Sequence, residues 1–237
     1  IASSIQAQAG DHLVEIGPGQ GALTEALVKV GCDIDVVELD RDLVPGLLAA
    51  FSIYPHFTLH SADALSFDFS ALAEQDEQLR VVGNLPYNIS MPLIFKLLEN
   101  ASIIRDMHFM LQLEVVERLA ASPGSKAWGR LGIMAQYRCK VEHLFDVPPT
   151  AFHPPPKVQS AIVRLTPWQT LPWPDCDASS LERVVRAAFA QRRKTLRNTL
   201  KGLIDVNRLE TLGIDPGARA ETLELKQFID IAGAADE

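Results

Sequence analysis

His12-Leu13-Val14-Glu15-Ile16-Gly17-Pro18-Gly19-Gln20-Gly21-Ala22 decides the fold. A strand-like run passes straight into three glycines, after which Ala22, Leu23, Ala26 and Leu27 recur at helical spacing. Glycines between strand and helix let backbone N–H groups come close to a ligand, and the helix N-terminus behind them favours partial negative charge. With Ala22 in the sixth place the stretch satisfies the G-x-G-x-x-G/A fingerprint, and Glu38 follows Gly17 by 21 residues, where such folds place a ribose-binding acid. Glycines and acid together do not choose between NAD and S-adenosylmethionine.

Outward from that stretch, strands and helices alternate as far as residue 165. Strands are expected near 12–16, 33–38, 56–60, 79–83, 106–112, 137–146 and 158–165, with a helix-like stretch over 92–98. The pattern predicts a doubly wound α/β fold with a mainly parallel, seven-stranded sheet. A glycine-bearing stretch over 122–130 is expected to form a mobile loop on the substrate side. Residues 166–177, with Pro167, Pro172 and Pro174, are expected to be a linker. Residues 178–237 are predicted to be all-helical, broken at Asp205, Gly213 and Asp215.

The third strand end, Ser61-Ala62-Asp63-Ala64, offers an acid that can accept a hydrogen bond from an adenine amine between apolar neighbours. An open sheet binds ligands beyond the carboxyl ends of its strands, so Glu15, Glu38, Asp63 and Asn84 are expected to converge there. The fourth strand end carries Asn84-Leu85-Pro86-Tyr87. An exocyclic adenine amine is a poor nucleophile until acceptors bind its hydrogens. Asn84 can supply one acceptor. The carbonyl of Leu85 or Pro86 can supply the other, because Pro86 lacks an N–H and holds its neighbour extended. Tyr87 can stack on the base, which helps to offset the cost of extracting a nucleotide from its stack. These residues predict an adenine N6-methyltransferase acting through positioning and fixed polarity.

Eight segments, taken in order, carry a resemblance. They are Glu15-Ile16-Gly17-Pro18-Gly19, Val37-Glu38-Leu39-Asp40, Asp63-Ala64, Gly83-Asn84-Leu85-Pro86-Tyr87-Asn88-Ile89-Ser90, Gly124-Ser125-Lys126, Gly129-Arg130-Leu131, Phe152-His153-Pro154-Pro155-Pro156-Lys157-Val158-Gln159-Ser160 and Gln191-Arg192-Arg193-Lys194-Thr195-Leu196-Arg197-Asn198. Across essentially the whole chain they resemble the bacterial small-subunit ribosomal RNA adenine N6,N6-dimethyltransferases, the kasugamycin-resistance methyltransferase family. The resemblance implies a class I S-adenosylmethionine-dependent methyltransferase, Rossmann-like, with a catalytic domain over 1–166 and a small helical RNA-recognition domain over 178–237. It implies dimethylation of two adjacent adenines in a 3′-terminal hairpin of small-subunit ribosomal RNA, free or in a pre-30S particle, and a part in ribosome biogenesis.

Gly17, Glu38, Asp63 and Asn84 carry over as cofactor contacts, and Glu15, Gly19 and Ala64 complete the expected cofactor site. Asn84 also faces the target amine, with Leu85, Pro86 and Tyr87 beside it and Phe152 as a second stacking surface opposite Tyr87. The prolines after Phe152 stiffen its loop. Two departures stand out. The family carries, ahead of Ile1, a basic segment and a Phe-Gly-Gln-Asn-Phe-Leu-type motif that closes over the cofactor, and weaker cofactor retention is expected without it. Leu113 stands where many relatives have lysine, so a basic contact is lost.

At 237 residues, 47% of them hydrophobic, the chain can bury a substantial core. Cys32, Cys139 and Cys176 are widely separated, which fits a reducing cytoplasm and argues against zinc or a disulfide framework. The histidines show no metal spacing on a helix, and His56 and His60 are expected to be structural or surface groups. No apolar run is long enough for a membrane span and no leader pattern is present, so a soluble, unexported monomer without metal is expected. A net charge of −8 has the wrong sign for a polyanion partner. Residues 183–201 offset it locally with seven basic residues and no acidic one. On a continuous helix all of these but Arg192 would share one arc, beside an apolar face of Val185, Phe189, Leu196 and Leu200. Arg186, Arg193, Lys194 and Arg197 are the expected RNA contacts. Rival functions are a non-catalytic RNA-binding assembly factor and a large-subunit ribosomal RNA adenine methyltransferase; an NAD-dependent oxidoreductase would leave Asn84 to Tyr87 without purpose.

Overall fold

The computed structural model describes residues 1–74, 77–152, 156–174 and 176–235, with Tyr87 described by its backbone. The chain divides into two compact units, Ile1–Val116 with Lys140–Gln169 and Glu117–Cys139 with Thr170–Glu237.

Among the described residues, seven strands form one sheet: β1 (His12–Ile16), β2 (Asp33–Glu38), β3 (Phe57–Ser61), β4 (Leu79–Asn84), β5 (Ile104–Gln112), β6 (Cys139–Val147) and β7 (Ser160–Pro167). Their order is β3-β2-β1-β4-β5-β7-β6. Strands β1 to β5 pair in parallel, and β7 runs antiparallel to β5. Every residue of β1 is buried, as parallel strands covered on both faces require. Ile5, Leu13, Leu27, Ile34, Val36, Phe51 and Val82 belong to one apolar cluster of this unit.

Charge enters the sheet in partnered form. Arg80 donates through Nε and Nη2 to Asp106 at 3.0 and 2.9 Å, through Nη1 to Asp11 at 2.7 Å and through Nη2 to the Ile5 carbonyl at 2.6 Å. His12 lies between Asp35 at 2.6 Å and Glu77 at 3.0 Å. The Asp35 hydrogen bond raises the His12 pKa to about 9. His60 also pairs with Asp35, and His56 sits 3.0 Å from the Val28 carbonyl, so both are structural groups.

Helices α1 (Ala2–Ile5), α2 (Ala22–Leu27), α3 (Val44–Phe51) and α4 (Tyr87–Glu99) belong to the sheet unit. Helix α4 begins five residues before the expected 92–98 stretch. Pro86 caps it with φ −58° and ψ 141°, and the Pro86 carbonyl accepts from the N–H of Ile89 and of Ser90. Pro92 is accommodated within its second turn, where a missing N–H removes one hydrogen bond.

The second unit holds the last three residues of α5 (Leu113–Leu119), then α6 (Arg130–Arg138), α7 (Ala178–Ala188), α8 (Leu196–Thr199), α9 (Val206–Thr211) and α10 (Leu225–Ala235). Its core gathers Trp128, Ile133, Tyr137, Leu181, Val185, Leu196 and Phe228. Residues 117–139, grouped by sequence with the sheet, therefore share a core with the C-terminal helices. Alternation alone could not reveal this, because the buried cluster residues Leu181 to Ala232, which share the core with Trp128 and Tyr137, begin 44 positions after Tyr137.

The 122–130 loop, expected to be mobile, is anchored in this structure to later segments of its own unit. Trp128 is buried and donates from Nε1 to the Leu223 carbonyl at 2.9 Å, the Gly124 N–H donates to the Glu221 carbonyl at 2.7 Å, and Arg192 donates to the Lys126 carbonyl. The expected continuous helix over 183–201 is also corrected. Helix α7 stops at Ala188, a turn carries residues 189–194, and α8 resumes after an extended Thr195. The stop is tertiary. Leu196 and Arg197 donate their N–H groups to the carbonyls of Ala218 and Pro216, and Thr195 bridges Arg219. Nothing in Gln191-Arg192-Arg193-Lys194 itself breaks a helix.

Candidate active site

Register decides what stands side by side. Ile16 pairs with Gly83, so Gly17 and Asn84 leave neighbouring parallel strands at the same level. Gly83 is dictated by that closeness: a Cβ there would lie 2.5 Å from the Ile16 carbonyl oxygen.

Above β1 the glycine loop adopts left-handed backbone at Gly17, Gly19 and Gly21, with φ of 64°, 59° and 83°. The Gly17 N–H donates to Val37 and that of Gly21 to Pro18. No atom lies within 4 Å of where a Cβ would stand on Gly17 or Gly19, so the loop leaves room for a ligand to approach the backbone.

Glu15 lies behind this loop, 2% exposed, and accepts from Thr24 Oγ1 at 2.6 Å. Burial raises its pKa to about 7, with a smaller contribution from the Glu38 charge and opposition from the Thr24 hydrogen bonds. Its carboxyl braces the first turn of α2 and does not join the crevice as expected. Glu38 ends β2, largely buried, and its Oε1 accepts from the Asp40 N–H at 2.8 Å. Asp63 follows β3 in the open; its Oδ1 accepts from the Leu65 N–H at 2.9 Å, and Ala64 is buried beside it.

Asn84 is exposed at the end of β4 and opens on a pocket of about 270 Å³ shared with Leu85, Gln112, Phe152, Pro156 and Ser160. Among the described residues its side chain makes no hydrogen bond. The alternative between the two carbonyls is narrowed by α4: Pro86 O is taken by the helix, whereas no described donor reaches Leu85 O. Leu85 itself is buried, with its N–H donating to Met110 O at 3.3 Å. Phe152 is half-buried, with φ −119° and ψ 152°, and lines the same pocket as Asn84. The Tyr87 side chain and residues 153–155 lie outside the described residues, so the opposed stacking of Tyr87 and Phe152 is not part of this geometry.

Arg186 is exposed on α7, Arg193 and Lys194 on the turn after it, and Arg197 on α8. Leu113 opens α5 and donates its N–H to Gln159 O at 2.9 Å. Among the described residues no group of histidine, cysteine, aspartate and glutamate has the arrangement of a metal site, and no helix is long and apolar enough to cross a membrane.

Two residues escaped the sequence reading. Lys96 on α4 donates to the carbonyls of Ala64, Leu65 and Phe67 at 3.3, 2.8 and 2.6 Å and lies over the Phe69 ring. No local pattern announces it, since its partners are 29 to 32 positions away. Gln112 lines the Asn84 pocket; a strand-end glutamine has no signature of its own.

Comparison with known proteins matches residues 1–237 to the model of the family described as ribosomal RNA adenine dimethylase. A protein of Pseudomonas syringae pv. tomato named ribosomal RNA small subunit methyltransferase A is 60% identical over 237 residues, covering 100% of this chain and 88% of the relative. Among solved structures, a dimethyladenosine transferase from Plasmodium falciparum superposes with TM-score 0.82 at 25% identity, covering 97% of this chain and 93% of that one. The 23S rRNA methyltransferase ErmE, at 24% identity, shares the fold with TM-score 0.78, covering 100% of this chain and 95% of its own.

Proposed function

Because this chain belongs to the ribosomal RNA adenine dimethylase family, we propose that it transfers methyl groups from S-adenosylmethionine to N6 of adenines in small-subunit ribosomal RNA, giving N6,N6-dimethyladenosine at two adjacent positions of a 3′-terminal hairpin. The observation that carries the site assignment is the shared pocket of Asn84 and Phe152 beside an unengaged Leu85 carbonyl.

The open, positive-φ backbone of Gly17 and Gly19 fits a bulky cofactor brought close to the loop. Gly17, Gly19, Glu38, Asp63, Ala64 and Asn84 are assigned to hold it, with Glu38 facing its ribose hydroxyls and Asp63 its adenine amine; Glu15 acts through the loop. Bound there, S-adenosylmethionine supplies an activated methyl group on a sulfonium. Asn84 Oδ1 and Leu85 O accept the two N6 hydrogens, so the nitrogen lone pair turns out of the ring plane toward the donor. Phe152 stacks on the extruded base, a contact of about 1–3 kcal/mol. As the N6–CH3 bond forms and the S–CH3 bond breaks, the displaced N6 proton passes to solvent, so no titrating side chain is required and catalysis is orientation with preset dipoles. Arg186, Arg193, Lys194 and Arg197 neutralise phosphates of the RNA, which reconciles a net charge of −8 with a polyanionic substrate. The helical unit thus chooses the RNA and the sheet unit performs the transfer, as a step in small-subunit biogenesis.

The test is incorporation of labelled methyl groups into purified small ribosomal subunits that lack the modification, with large subunits as control. Wild-type protein is expected to label the small subunit, and Asn84→Ala to lose about 10²- to 10³-fold in kcat while keeping its melting temperature. An unlabelled small subunit, or an Asn84→Ala variant at wild-type rate, overturns the assignment.

A further inference from the structure

Gln112 ends β5, directly across the antiparallel ladder from Ser160 at the start of β7. On the other side, Asn84 pairs with Met110, two residues before Gln112. Successive side chains of a strand alternate faces, so Asn84, Met110, Gln112 and Ser160 share one face of the sheet at its carboxyl edge. All four line the pocket of about 270 Å³. The rest of that wall is mostly apolar, with Leu85, Val115, Phe152, Pro156 and Val158 among its members. Gln112 is half-buried, and among the described residues its carboxamide makes no hydrogen bond. A primary amide covered by a bound base has two donors and an acceptor to satisfy, and leaving them unpaired there is costly. A ligand that enters this pocket is therefore expected to engage it.

We propose that Gln112 is a specificity-determining residue that donates a hydrogen bond from Nε2 to a ring nitrogen of the target adenine flanking its amine, N1 or N7. The inference rests on the function proposed above and deepens it. Ring nitrogens are the partners because the amine hydrogens already have acceptors in Asn84 Oδ1 and Leu85 O. The choice of a donor also matters for a double transfer. Contacts to the amine hydrogens diminish as the first methyl group replaces one of them, whereas N1 and N7 remain acceptors throughout. A donor at Gln112 thus holds the base equally for both transfers, and it discriminates against a base presenting a ring N–H or C–H at that edge.

The experiment uses small subunits reconstituted with ribosomal RNA carrying adenine, 1-deazaadenine or 7-deazaadenine at the target position, assayed with the full chain and with Gln112→Leu. Wild-type enzyme is expected to lose about 10- to 100-fold in kcat/KM on one of the two analogues, the size of one lost buried hydrogen bond. Gln112→Leu should lose a similar factor on adenine and nothing further on that same analogue. The failing analogue identifies the nitrogen. Wild-type enzyme that treats both analogues as adenine overturns the proposal, as does a Gln112→Leu variant at wild-type kcat/KM or one whose loss multiplies with that of the analogue. Gln112→Leu is to be matched to wild type in melting temperature and in affinity for S-adenosylhomocysteine. Should it fail to fold, the two analogues on wild-type enzyme still decide. Transfer to unmodified adenine in the same series separates failure of this inference from failure of the underlying function.

Discussion

Lys96 Nζ lies 2.6 Å from the Phe67 carbonyl oxygen and also holds the carbonyls of Ala64 and Leu65. A single ammonium on the helix that follows Asn84 thereby fastens the loop that follows Asp63. The ends of β4 and β3, proposed above to present the target amine and to hold the cofactor, are tied together by a residue assigned to neither task.

Lys96→Met keeps the aliphatic stem over Phe69 but removes all three donors. Cofactor affinity is expected to fall about 10-fold, in line with the loss of charge-assisted hydrogen bonds worth roughly 1.5–3 kcal/mol before relaxation. Calorimetric titration of S-adenosylhomocysteine checks it; unchanged affinity would show that the loop holds its shape without the lysine.

Glu15 makes stability depend on pH. Its folded pKa, about 7, lies above the ordinary value of 4.5 because burial disfavours the carboxylate. Between those values the folded state binds more protons than the unfolded chain, so this contribution is complete below about 4.5 and is lost as pH rises through 7. Glu15→Gln keeps an acceptor for Thr24 and removes the titration. At pH 8 it should exceed wild type by on the order of 3 kcal/mol, several degrees in melting temperature, with the gap closing toward pH 5. His12, held protonated to about 9 by Asp35, is common to both proteins and adds its own decline only between 6.5 and 9. Parallel stability curves for the two proteins across pH 5–8 would contradict this account of Glu15.

Gly83→Ala places a methyl group against the Ile16 carbonyl at 2.5 Å, a backbone atom that cannot step aside without moving β1. A loss of about 1–3 kcal/mol is expected, measurable by urea unfolding, together with reduced transfer as Asn84 shifts. Wild-type stability would mean that the two strands can separate at little cost.

Charge reversal at Arg193 and Arg197 tests the basic turn and α8. RNA affinity should drop, and the slope of log affinity against log salt should become shallower by about one for each lost phosphate contact, while S-adenosylhomocysteine binding is unchanged. If the slope is preserved, these arginines merely face solvent.

Much of this was legible in the chain. The alternation of buried runs with Gly17, Gly19 and Gly21 announces a parallel sheet with a ligand loop, because strand burial and positive φ impose residue types locally. Asn84 and Phe152 could be chosen from their motifs, and both line one pocket. Glu15 was misjudged: a strand-end acid looks the same in sequence whether its carboxyl enters the crevice or turns under the loop to Thr24. The basic run was misjudged for a similar reason, since an unbroken helix over 183–201 satisfied every local preference.

The sequence by itself determined the sheet, the glycine cradle and the family, since each rests on residue types whose backbone or burial demands are met within a few positions. Only the tertiary structure decided that residues 117–139 share a core with the C-terminal helices, that α7 stops at Ala188 and α8 restarts where Leu196 and Arg197 pair with Ala218 and Pro216, and that Gln112 faces the same pocket as Asn84. Those outcomes depend on strand register and on hydrogen bonds between distant segments. Side-chain periodicity carries no record of which distant carbonyl or which neighbouring strand will be the partner.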